Sequence, residues 1–165
     1  VNYEIVELSD LSGNYTTIYS IIKDVDTKSL FEHFVEENID DHREEVISIL
    51  HRLKVIGETT GAREGFFKHN EGKPGDLVCA LYDEPDKNLR LYCIRYGSVA
   101  IILGGGGMKE VRAWQHDPKL SKEVNAMIKV SEDIFQRMKE GDLRWSPDGK
   151  KLIGNLNFSE DEEED

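Results

Sequence analysis

Three runs rich in β-branched, aromatic and aliphatic residues follow closely on one another in the middle of the chain: "LVCALYD" (77–83), "LRLYCIRY" (89–96) and "SVAIILG" (98–104). The connections, "EPDKN" and a Gly97-Ser98 pair that supplies the positive φ of a tight turn, join neighbouring antiparallel strands. The last run is apolar on both faces, which predicts a central strand. It then passes into four consecutive glycines, "IILGGGGMKE" (101–110). A run without side chains is either a cradle of backbone N–H groups for a phosphate or a place where a neighbouring backbone or a helix crosses too closely for a Cβ atom. The nucleotide-binding signatures do not fit: Glu110 stands where a P-loop needs a hydroxyl, and some ten residues separate the glycines from the next helix.

The flanking segments supply the other elements. Residues 3–8 and 15–22 have strand composition, with the turn-forming "SDLSGN" between them. "VDTKSLFEHFVEEN" reads as a helix capped by Asp26 or Thr27, with Leu30, Phe31, Phe34 and Val35 on one face. A second helix starts near Asp40 and Asp41, carries Val46, Ile49, Leu50, Leu53 and Ile56 as its stripe, and ends at Gly57. Residues 58–76, Gly- and charge-rich, predict an exposed loop with "GFFKH" as a short extended piece. A third helix begins with Asp117 as N-cap and Pro118 at its first position, and buries Leu120, Val124, Met127, Ile128, Ile134, Phe135 and Met138. "SPDGK" then marks the turn of a terminal hairpin.

A chain of 165 residues is enough for one domain with a real core. The division expected is a single α+β domain over residues 1–158 and an acidic, disordered tail over 159–165. No apolar run approaches the roughly 20 residues of a membrane span, and no basic-then-apolar leader is visible at residues 1–10, so the expectation is a cytoplasmic protein with no membrane partner. Cys79 and Cys93 are expected as reduced, buried thiols. The five histidines are scattered and no Cys/His cluster has metal-ligand spacing, so neither metal nor cofactor is expected. Charge is uneven. The whole chain carries −12, but residues 61–122 carry +2, against −8 for residues 1–60 and −6 for residues 160–165. A phosphate, if one is met, belongs in the middle segment.

Period-2 alternation on the run 89–96 puts Arg90, Tyr92, Ile94 and Tyr96 on one face and Leu89, Leu91, Cys93 and Arg95 on the other. The second set, apolar but for its end, should face the helices, leaving Arg90 and Tyr92 pointing to water on the same side. Lys68, Lys109 and Arg112 stand at the ends of neighbouring elements and converge on the same rim. Arginine beside tyrosine grips phosphate and stacks bases; equally, such side chains solvate an exposed sheet.

The segment "GFFKHNEGKPGDLVCALYDEPDKNLRLYCIRYGSVAIILGGGGMKEVRAWQHDP", followed by a helix, resembles the core of the RelE/ParE superfamily of bacterial toxins, in particular the HigB branch, over residues 27–139. The resemblance implies a curved antiparallel sheet packed against two N-terminal helices and one C-terminal helix. It implies the toxin of a type II toxin–antitoxin system, an mRNA endoribonuclease working on the ribosome and held by an antitoxin protein. Carried onto this sequence, the catalytic set is Lys68, Arg90, Tyr92 and Lys109. Arg90 and Lys109 would hold the phosphate, and Lys68 or Tyr92 would move protons. Arg95, Tyr96, Gly105, Gly106 and Arg112 would bind RNA or a partner. The sequence departs from the family where "L-H-x-F-x-K-K" is replaced by "LGGGGMK", and in its acidity, since toxins that bind ribosomal RNA are basic. The other class of function these residues allow is a non-catalytic protein-interaction module that kept the toxin fold. For either, residues 160–165 are a solubilising tail or a brake that docks on the basic middle segment. The toxin kinship and its residue roles both presume that Arg90 and Tyr92 face solvent.

Overall fold

The computed structural model describes residues 2–69, 71–73, 75–82, 88–110 and 116–159. Arg112 and the acidic stretch 160–165 lie outside them. Among the described residues the strands are β1 (Tyr3–Glu7), β2 (Thr17–Lys23), β3 (Phe67–Lys68), β4 (Val78–Tyr82), β5 (Leu89–Tyr96), β6 (Ala100–Met108), β7 (Leu143–Trp145), β8 (Leu152–Gly154) and β9 (Asn157–Phe158). The α-helices are α1 (Leu30–Asn38), α2 (Arg43–Val55) and α3 (Pro118–Glu140). Seven strands form one sheet in the order β3-β4-β5-β6-β2-β1-β9, antiparallel except for the β2/β6 pair, and β7 and β8 form the terminal hairpin. The fold is therefore α+β with a mostly antiparallel sheet, and β6 lies at its centre as the two-sided apolar run requires. No helix among the described residues is long and apolar enough to cross a membrane.

Helices cover both faces. Phe31, Phe34, Val46, Ile49 and Leu53 of α1 and α2 pack on Cys79, Leu81, Leu91, Cys93, Ile101 and Leu103. On the other face Leu120, Val124, Met127, Ile128 and Ile134 of α3 pack on Ala80, Tyr92, Ile94 and Ile102. This second layer overturns the expectation of an open sheet face: Arg90 is 9% exposed and Tyr92 0%. The stripe of α3 needs an apolar surface as much as those of α1 and α2 do, and the face holding Ile94, Ile102 and Ala80 is the one left to it.

Local chemistry accounts for the element ends, with two corrections. The N-cap of α1 is Ser29, not Asp26 or Thr27; its hydroxyl accepts the Glu32 N–H while the Glu32 carboxylate accepts the Ser29 N–H. Asp26 instead accepts the Thr27 and Lys28 N–H groups and meets His33 at 2.7 Å. Gly57 does not end α2, which runs on through a π-helical turn, Ile56–Thr60, to Gly61 at φ 79°. Gly57 is there because a Cβ would fall 2.3 Å from the Leu11 carbonyl oxygen. The expected caps of α3 hold: Asp117 accepts the N–H groups of Lys119 and Leu120, with Pro118 in the first turn. Phe135, expected on the buried side, is 70% exposed.

The glycines lie inside β6 rather than beyond a strand end. β5 places one residue, Tyr92, opposite two, Gly104 and Gly105, because the register steps from Cys93↔Leu103 to Leu91↔Gly106. That is a β-bulge. A Cβ on Gly104 would lie 2.5 Å from Met127 Sδ, on Gly105 would overlap the Glu123 carboxylate, and on Gly106 would overlap the Arg90 carbonyl oxygen. Close approach by α3 and by the backbone of β5 answers the question the glycines raise. Gly105 and Gly106, expected at a surface for RNA or a partner, are both buried.

Candidate functional site

The pairing registers bring the expected side chains together one row at a time. Lys68 of β3 is opposite Ala80 of β4, which is opposite Tyr92 of β5. The next row is Tyr82, Arg90 and Gly107. Lys109 lies two residues past Gly107 and its N–H donates to the Asn88 carbonyl, so it continues that edge. Lys68, Arg90, Tyr92 and Lys109 thus form one group on the α3 face, at the end of the sheet where α3 begins.

The sequence reading missed a fifth member. Glu71 follows β3, donates its N–H to the Val78 carbonyl, and is 7% exposed although it sits in the segment expected to be an exposed loop. Burial raises its carboxyl pKa, against the opposing pull of Lys68, Lys109 and Arg90. Lys109 is pushed the other way: burial, then the hydrogen bond and charge of Lys68, lower its pKa, while Glu71 raises it. Burial raises the Tyr92 phenol, helped by the Glu71 charge. Glu71 thus acts on both Lys109 and Tyr92. A carboxyl shifted up beside a lysine shifted down brings the two titrations closer together than in water.

The floor of the group is dry and its rim is wet. The Arg90 guanidinium lies 5.2 Å above the Tyr82 ring and donates to the Leu89 carbonyl. Among the described residues, neither Glu71 Oε1 nor the Tyr92 hydroxyl has a hydrogen-bond partner. A buried polar atom without a partner costs about 1–3 kcal/mol, a cost that a bound polar ligand would remove. Lys68 is exposed and Lys109 half-buried, so entry is from the lysine side.

The remaining expected residues are elsewhere. Arg95 is on the opposite face, with Nε donating to the Ala62 carbonyl at 2.8 Å and its guanidinium over the Phe67 ring. Tyr96 packs on Trp145, ring centroids 5.0 Å apart, at the far end of β5. Neither joins the group. Arg112 falls outside the described residues. Among those residues, no cluster of three or more His, Cys, Asp or Glu side chains could hold a metal ion.

A second surface feature is a groove of about 490 Å³ between α3 and the segment before β4, whose apolar lining of Leu77, Tyr96, Ile134, Phe135 and Met138 is bordered by polar and charged side chains, Lys73 and Glu132 among them. Leu77 is 51% exposed and held at φ 65°, a left-handed conformation that a leucine adopts only under strain.

No family model, no curated protein and no solved structure matches the chain.

Proposed function

We propose that the protein is an endoribonuclease with the Lys68–Glu71–Arg90–Tyr92–Lys109 group as its centre; the burial of Arg90 and Tyr92 removes the premise of the RelE/HigB kinship, so the reading stands on this group alone. The observation that carries the reading is the joining, at one end of the sheet, of three cations with a buried carboxylate whose Oε1 lacks a hydrogen-bond partner among the described residues. Such a set suits cleavage by the RNA's own 2′-hydroxyl. Ionised Glu71 takes the 2′-hydroxyl proton, and the 2′-oxygen attacks the adjacent phosphorus. Lys68 and Arg90 balance the charge that develops on the phosphoryl oxygens. Lys109 gives its proton to the departing 5′-oxygen, leaving a 2′,3′-cyclic phosphate and a free 5′-hydroxyl. The roles differ from those the resemblance implies. Glu71 replaces Lys68 or Tyr92 as base, Lys68 joins Arg90 on the phosphate, and the fully buried Tyr92 becomes a positioning residue. The basic rim sits in an acidic protein, which favours a single docking orientation for a polyanion.

The test is induction of the chain in its host, with mapping of transcript ends and growth. Cleaved transcripts with 5′-hydroxyl ends are expected, and Glu71→Gln and Lys109→Ala should abolish them while the circular dichroism spectrum stays that of the parent. Unchanged transcripts and growth, with residues 160–165 present or removed, overturn the reading.

The alternative, a non-catalytic interaction module, is favoured by the strained, exposed Leu77 beside the exposed Phe135. It moves the partner surface from the glycine edge to the groove. It expects Phe135→Ser to abolish co-purification of a partner while transcripts stay intact.

A further inference from the structure

Cys79 and Cys93 take no part in the group above, and they lie on the opposite face of the same two strands. They are directly opposed across β4 and β5, both are free thiols, and their sulfurs are 3.7 Å apart. Opposed residues of an antiparallel pair hold their Cα atoms about 4.5–5.5 Å apart, inside the span that a disulfide bridges. Side-chain rotation alone therefore closes most of the gap.

The pair is buried but not sealed. Cys79 lines a cavity of about 110 Å³ at the outer edge of β4, together with His69, Lys73, Asp76 and Arg95. A water needs only about 10–15 Å³ of such space, so hydrogen peroxide, roughly two waters in size, fits. The thiolate is the form of a cysteine that attacks peroxide. Lys73 faces Glu132 at 3.8 Å, His69 Nε2 meets the Glu64 carbonyl oxygen at 2.9 Å, and Arg95 Nε donates to the Ala62 carbonyl. Cys93 is deeper, 0% exposed and absent from the cavity wall. Its hydrogen bond to Cys79 and its burial hold it protonated. The two cysteines are unequal: Cys79 borders the cavity and Cys93 does not.

We infer that Cys79 and Cys93 are a peroxide-reactive dithiol, with Cys79 as the attacking sulfur and Cys93 as the resolving one. The Cys79 thiolate attacks one oxygen of hydrogen peroxide; the O–O bond breaks, and hydroxide leaves and is protonated to water. The product is a sulfenic acid on Cys79. The Cys93 sulfur then attacks the Cys79 sulfur, the S–O bond breaks, and the departing hydroxide takes the Cys93 proton as a second water. Two thiols lose two electrons to form one disulfide, and one peroxide is reduced to two waters. The inference is independent of the ribonuclease reading.

The experiment treats the full chain with a small excess of hydrogen peroxide, denatures it, alkylates free thiols and measures intact mass. The expected result is loss of both alkylation sites with a mass lower by two hydrogens, restored by dithiothreitol. In Cys93→Ser, dimedone should capture a sulfenic acid on Cys79, whereas Cys79→Ser should leave Cys93 alkylatable. Both thiols still alkylatable in the wild-type chain, a bond formed between two chains rather than within one, or separate oxides on each sulfur would overturn it. The wild-type measurement decides the matter even if a serine variant does not fold.

Discussion

At the scale of single residues, the glycines of β6 are not equivalent. A methyl on Gly106 meets the Arg90 backbone, which has nowhere to move, whereas on Gly107 it meets only ordinary contacts at 3.8 Å or more. Gly106→Ala should therefore cost about 2–3 kcal/mol in urea unfolding, and Gly107→Ala less than about 0.5 kcal/mol. Glu71 makes a prediction of the opposite kind, read from pH. Its carboxyl pKa is raised in the folded chain, so the native state binds that proton more tightly than the unfolded one. The resulting stability is fully present below the ordinary glutamate pKa and is lost as pH rises through the higher, folded value. Urea unfolding across that range should show this loss in the wild type and not in Glu71→Gln. Cleavage, which needs ionised Glu71 and protonated Lys109, should rise through the raised Glu71 value and fall before the ordinary lysine range.

Elements are held to one another by a few buried polar bonds. Ser20 of β2 donates to the Leu103 carbonyl of β6 at 2.7 Å and accepts the Phe31 N–H of α1, so one hydroxyl ties the parallel β2/β6 pair to the first helix. Ser20→Ala should destabilise by about 1–3 kcal/mol, because it leaves buried backbone groups short of a partner. The α3 stripe gives a sharper contrast. Ile134 is 1% exposed and its neighbour Phe135 70%. Chemical denaturation should show a cost of about 2–4 kcal/mol for Ile134→Ala and less than about 0.5 kcal/mol for Phe135→Gln. Both residues are apolar and adjacent, and 100° of helical turn separates the core from the groove.

For the molecule as a whole, the decisive fact is that the sheet is covered twice. Asp117, Pro118 and the apolar stripes announce their helices locally, and the run from Val78 to Leu103 announces its strands, so these were legible, whereas the cap of α1 was read too early, at Asp26 or Thr27, instead of at Ser29. The pairing of β2 with β6 was not, because it joins segments some 80 residues apart and leaves no mark at the turn chemistry of either. Nor was Glu71 legible. A charged residue in a Gly-rich stretch has loop composition wherever it lies, and only the return of that stretch along β4 buries it. Arg90 and Tyr92 misled for a related reason. Their alternation with Leu89, Leu91 and Cys93 is that of a half-exposed strand, yet α3 packs over Tyr92, and Gly104 and Gly105 opposite make room for it.

The sequence by itself determined where the central strands and the helices form, which residues cap α3, and that the basic residues concentrate in the middle of a strongly acidic chain. These properties follow from periodicity, capping and composition, all of which act over a few residues. Only the tertiary structure decided which faces are buried, that Lys68, Glu71, Arg90, Tyr92 and Lys109 share one end of the sheet while Arg95 and Tyr96 do not, and that two thiols stand within reach of each other. Burial and proximity depend on what packs from elsewhere in the chain, and no local pattern carries that information.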